Sequence, residues 1–86
     1  MKRIEVTFTR KDGSEVSEYV WGLAPKVRGY WAETYWILLG RRFVLIGRPK
    51  SGDRSGPFQE ILEVQPNQQL EVTASGWLDP GSVPAA

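Results

Sequence analysis

Gly47 and Gly52 stand five residues apart in the stretch VLIGRPKSGDR, Val44 to Arg54, with Lys50 between them. That spacing invites comparison with a phosphate-cradling loop, which needs G-x-x-x-x-G-K followed by serine or threonine. Here Asp53 and Arg54 hold the lysine and hydroxyl positions. A carboxylate there repels the phosphate it should attract, and Ser55-Gly56-Pro57 opens no long amphipathic helix whose N-terminus would help. The nucleotide reading fails on chemistry.

With 0 His and 0 Cys, the chain by itself has no Ser–His or Cys–His nucleophilic pair, no disulfide and none of the commonest metal ligands. Ser51 beside Lys50 reads as a solvated loop pair. Asp12-Gly13-Ser14-Glu15 carries acids, but its glycine is at position two where a calcium loop needs it at six, and turn chemistry accounts for it. Glu33 would need a second carboxylate for glycoside hydrolysis, and the arginine expected opposite it, Arg48, would hold it ionised. The expectation is therefore a non-enzymatic protein, with no cofactor and no metal.

Binding fits the residue types better. Arg, Trp and Tyr dominate interface hot spots because a flat ring or guanidinium gives much contact area for few ordered torsions. The net charge is only +1 over 86 residues, but it is segregated. Arg41, Arg42, Arg48, Lys50 and Arg54 face one acid, Asp53, whereas Glu60, Glu63, Glu71 and Asp79 follow with no base after Ser55. The candidate partner-binding residues are Trp31, Tyr35, Arg41, Arg42, Arg48, Lys50 and Arg54. A protein partner is the first expectation, because it tolerates a mixed apolar and charged face. Self-association into a homodimer is a special case of it. Single-stranded nucleic acid or RNA is the alternative, with the basic residues on phosphates and Trp31 or Tyr35 stacking a base. Carbohydrate stacking on the planar aromatics is a third option.

The elements that must position these residues read as strands. Ile4, Val6 and Phe8 alternate with Glu5, Thr7 and Thr9, the period of a half-buried strand. Asp12-Gly13 suits a two-residue type I′ turn, which sets Arg10 opposite Glu15, Val6 opposite Tyr19 and Ile4 opposite Trp21 and sends both aromatics to the core. Ala24-Pro25-Lys26 breaks the return strand. Tyr30 to Leu39 is rich in aromatic and β-branched residues, so strand is preferred to the competing helix, and Gly40-Arg41 makes a type II′ turn into Arg42–Ile46. That register puts Leu38 opposite Phe43, Trp36 opposite Leu45 and Glu33 opposite Arg48. One face is then core, with Trp36, Leu38, Phe43 and Leu45. The other, with Trp31, Tyr35, Ile37, Val44 and Ile46 mixed with Glu33, Arg42 and Arg48, is the suspected outward wall.

Lys50 to Gly56 reads as a surface loop, and Gln59–Gln65 and Leu70–Ala74 as two further strands. The fold class expected is all-β: a small barrel, SH3-like or OB-like, or a compact sandwich of about six short antiparallel strands. It spans residues 1–78 as a single domain, with 79–86 as a flexible tail. No run approaches the length of a membrane span, and the start of the chain lacks an apolar secretory segment, so the expected setting is cytoplasmic.

Overall fold

The alternation of Ile4, Val6 and Phe8 becomes β1 (Glu5–Thr9), the first of five strands in the computed structural model, which describes residues 3–82. The others are β2 (Glu15–Leu23), β3 (Tyr35–Leu39), β4 (Arg42–Gly47) and β5 (Phe58–Val64). They follow one another around a closed barrel in chain order. Sequential neighbours are antiparallel, so with an odd number of strands β1 and β5 run the same way and the closing pair must be parallel. That seam is short, Phe8 with Phe58 and Thr9 with Gln59. A single 3₁₀ turn, Pro80–Ser82, is the only helical element among the described residues, so the competing helix over 30–39 is absent. The all-β small barrel is as expected. Of the tail expected at 79–86, residues 83–86 lie outside the described residues.

Four expectations need correction. The first hairpin is displaced by one residue: Thr9 faces Glu15, Val6 faces Glu18 and Glu5 faces Tyr19. Its loop has three residues, closed by Arg10 N–H on Ser14 O at 2.7 Å and Gly13 N–H on Arg10 O at 2.9 Å. Only Gly13 takes positive φ, at 93°, so the turn is not the type I′ that two positive-φ residues would make. Asp12 Oδ1 instead accepts from Ser14 N and Oγ at 2.9 and 2.7 Å. A one-residue shift exchanges the faces of a strand. Val16 and Val20 therefore pack with Phe8 inside, and Tyr19 and Trp21 turn outward.

Leu70–Ala74 is not a strand. Val72 makes one isolated bridge to Leu78, and the chain closes on itself through Thr73 N–H to Trp77 O and Gly76 N–H to Thr73 O. The barrel is already closed without it, so no ladder edge is offered. The strand expected from Tyr30 starts only at Tyr35, because residues 30–34 run as a loop anchored by Tyr30 on Pro49 and by Thr34 Oγ1 donating to Pro25 O at 2.7 Å.

The second hairpin has the expected register, with Leu38 facing Phe43 and Trp36 facing Leu45 around Gly40 at φ 60°. Its two faces do not have the expected roles. Ile37, Val44 and Ile46 are fully buried and fill the barrel with Phe8 and Phe58. Outside the barrel, Leu45 and Leu62 are buried under Val27 and Leu78, and a bulge in β5 between Leu62 and Glu60 lets Ile61 join them. β4 is thus buried on both sides. Each aliphatic side chain so enclosed contributes about 1.5–3 kcal/mol.

Candidate binding site on the barrel wall

The outward wall expected from Trp31, Tyr35, Ile37, Val44 and Ile46 is, for its aliphatic members, the barrel interior. Tyr35 is half-buried at the barrel mouth, edge-on to Phe58 at 5.7 Å, and its hydroxyl donates to Glu33. That hydrogen bond, with burial, raises the phenol above its usual range.

Arg48 is engaged on three sides. Its guanidinium lies 3.9 Å over the Phe58 ring, Nε donates to Gly56 O at 2.7 Å, and Nη1 is 3.9 Å from the Glu33 carboxylate. The expected Glu33–Arg48 pair is present, and it belongs to the fold. Arg42 lies 3.3 Å from Glu63, and Arg41 is exposed at the hairpin tip. Arg42 opens β4 and Arg41 sits in the turn before it, so both are about 20 Å or more along the strand from Arg48 at ~3.3 Å per residue. The seven candidate residues therefore do not form one patch. Trp31, Lys50 and Arg54 do meet, with Lys50 Nζ 6.0 Å and Arg54 Cζ 5.4 Å from the Trp31 ring.

Gly47, which prompted the phosphate question, has a packing reason. A Cβ there would meet the Thr34 methyl at 2.9 Å and Ile61 at 3.1 Å. Only glycine leaves room for Thr34 beneath the loop.

The surface that residue-level reasoning missed lies on the outside of β2, β3 and β4. β2 pairs Val20 with Ile37 and then Gly22 with Trp36, so Trp21 is the extra residue of a bulge. Bulges re-aim side chains, and Trp21 is 65% exposed. Its ring meets the edge of Phe43 at 5.1 Å, and Trp36 meets the same ring at 6.1 Å. One residue along from the Val20–Ile37 pair, Tyr19 and Leu38 fall side by side on this wall, 47% and 40% exposed. The signal was Gly22, since a glycine inside a strand pattern marks a bulge.

Beside these rings the chain turns away from β5 through Gln65-Pro66-Asn67-Gln68, held by Gln68 N–H on Gln65 O at 3.0 Å. Trp21, Trp36 and Phe43 on one side and Val64, Pro66 and Leu70 on the other enclose an open groove of about 290 Å³. Gln65 and Gln68 complete it, and no ionisable side chain lines it. The arrangement offers flat apolar faces and amides, which suits an uncharged ligand with planar or ring-shaped groups.

No protein-family model, curated protein or solved structure matches this chain. Among the described residues, no three carboxylates gather where a metal ion would need them, and no helix is long and apolar enough to cross a membrane. The reading of this surface rests on its own geometry.

Proposed function

We propose that this protein is a non-enzymatic binding module that takes an extended segment of a protein partner along the outer aromatic wall of its barrel. The observation that carries the reading is Trp21, 65% exposed on a bulge and set above Phe43 and the groove that Trp36 shares. Leaving so large a ring in water beside Tyr19 and Leu38 opposes folding, and contiguous exposed apolar surface of this kind marks interaction sites. The uncharged lining favours an apolar segment over a polyanion. Grooves walled by aromatic rings suit proline-containing chain in the polyproline II form, whose pre-set conformation loses little entropy on binding.

The test is titration of the full chain with a proline-rich decapeptide, read by tryptophan fluorescence and amide chemical shifts. The expected shifts centre on Trp21, Trp36, Phe43 and Leu70, and Trp21→Ala weakens binding about thirtyfold, the ~2 kcal/mol of a hot-spot truncation. Sedimentation at two concentrations should return the monomer mass. A peptide that shifts nothing on this wall overturns the proposal. So does a concentration-dependent dimer that protects Leu38, since the wall would then belong to a second copy.

A further inference from the structure

At the other end of β4, three chain segments bring two indoles and three cations together. Lys50 Nζ lies between the rings, 6.0 Å from the centre of Trp31 and 5.5 Å from that of Trp77. Arg54 Cζ is 5.4 Å from Trp31, and Lys26 Nζ is 5.7 Å from Trp77. The backbone beneath is fixed. Lys50 N–H donates to Gly29 O at 2.9 Å, Trp31 N–H to Arg48 O at 2.8 Å, Leu78 N–H to Lys26 O at 2.8 Å and Arg28 N–H to Leu78 O at 2.9 Å.

Among the described residues, Arg10, Arg42 and Arg48 each have a carboxylate within ion-pair distance, whereas Lys26, Lys50 and Arg54 have none. The acids of these segments are already engaged: Asp53 accepts from Ser55 N and Oγ at 3.0 and 3.1 Å, Asp79 Oδ1 accepts from Gly81 N at 3.0 Å, and Glu33 accepts from the Tyr35 hydroxyl and lies 3.9 Å from Arg48. Counting exposed Arg28 and the Glu33-paired Arg48, five bases stand against three acids here. The Trp31 indole N–H is shut away from solvent without an acceptor, so that edge points inward, and the surface this half-buried residue keeps lies elsewhere on the side chain.

We infer that this end of the barrel binds single-stranded nucleic acid, with Lys26, Lys50 and Arg54 on successive phosphates and bases stacked on Trp31 and Trp77. In the free protein the cations occupy the ring faces as placeholders. Trp31 and Trp77 are half-buried; a cation on the open part of such a ring is weakly held, so its transfer to a phosphate frees that surface for a base at little cost, and base–indole stacking is the stronger contact. Unpaired flexible strands fit because a duplex keeps its bases stacked on each other. The site shares no residue with the groove proposed above, so either reading can fail alone.

The experiment is fluorescence-anisotropy titration of the full chain with labelled decathymidylate at 50 and 200 mM salt. Three phosphate contacts on a single strand predict a log–log salt slope near −2, hence about a twentyfold loss of affinity across that range. Lys50→Gln with Arg54→Gln should flatten the slope to about −0.7. Trp31→Phe and Trp77→Leu should each weaken binding several-fold with the slope unchanged, a response that pure charge attraction does not give. Arg41→Gln, the same loss of charge at the hairpin tip, should leave affinity within about twofold. Thermal melts show whether each variant is folded, and a failed Trp77→Leu is replaced by Trp77→Phe. Absence of binding at 50 mM salt overturns the inference. Equal affinity for duplex, for inorganic polyphosphate or for a phosphorylated peptide, with the tryptophan variants unaffected, overturns it as well.

Discussion

Arg10 and Arg42 lie near one end of the barrel's strands, Lys50 and Arg54 beyond the other end of β4, and the two groups hold their charge in different company. Arg10 reaches across the seam between β1 and β5, with Nε 2.6 Å from Glu60 and Nη2 2.9 Å from Glu63, and Arg42 shares Glu63 at 3.3 Å. The Glu60 side chain is only 5% exposed. At the other end, Lys26, Lys50 and Arg54 rest on Trp31 and Trp77. A cation matched by a sheltered carboxylate cannot leave without stranding that carboxylate. One resting on a half-buried ring strands no charge, because water replaces the ring. The same residue types are thus tied to sheltered carboxylates at the seam and free of them beyond β4, among the described residues.

The largest effect that would break this contrast is at the seam. Arg10→Met leaves Glu60 shielded with only the Lys11 N–H at 3.3 Å, and the stranded charge should cost about 3 kcal/mol, the lower part of the range for a broken buried pair because Arg10 keeps some exposure. Lys50→Met, the same change on the rings, should cost under about 1 kcal/mol. Urea denaturation of both variants measures the difference. Similar costs would mean that the two ends are held alike.

Arg48 sharpens the contrast because it sits beside the ring-bound cations yet is held as Arg10 is. Arg48→Met removes a charge-assisted bond to Gly56 O and the cover over Phe58. It should cost about 2 kcal/mol, the worth of a hydrogen bond to a charged group. It should also change oligonucleotide affinity less than Lys50→Gln does. The reverse pattern, a stable protein with lost affinity, would return Arg48 to the ligand site where residue type alone had placed it.

Much of the barrel was readable because short-range chemistry dictates it. The Val6, Phe8 alternation and the glycine-first turn at Gly40 each specify a local conformation, and both appear, whereas Ile4 lies before the strand and is 50% exposed. The first hairpin went wrong by one residue because Asp-Gly satisfies a two-residue turn and also the last two positions of a three-residue one. The Asp12 side chain, by capping Ser14, decides in favour of the longer loop. That single residue determined whether Trp21 was core or surface. Closure of the barrel decided the rest. Which face of β3 and β4 points inward depends on how β1 meets β5, a contact between Phe8 and Phe58 that no local pattern encodes. Trp77 joined Trp31 through the bridge of Val27 to Leu78, equally invisible to a reading confined to neighbours.

The smallest effect isolates charge from structure, because the two regions share one motif. Asp12 and Asp53 each accept from the N–H and hydroxyl of the serine two residues on. These bonds hold both carboxylates below the usual range, led at Asp12 by the Ser14 hydroxyl and at Asp53 by the Ser55 N–H. A depressed carboxylate adds stability that is complete above its unfolded value near 3.8 and disappears as pH falls through the lower folded value. Both turns should therefore loosen only in acid, and alike, as amide exchange at Ser14 and Ser55 would report. Asparagine keeps the accepting oxygen and removes only the charge, so Asp12→Asn and Asp53→Asn should both stay folded at neutral pH. Their effects on a ligand should then diverge. One unit of charge at about 8 Å in water is worth a factor of about two in affinity, so Asp53→Asn should tighten decathymidylate binding about twofold at low salt, and the gain should fade as the screening length shortens. Asp12→Asn should leave it unchanged. An equal gain from both variants would mean that the oligonucleotide responds to total charge alone, and the division between a structural end and a binding end would lose its basis.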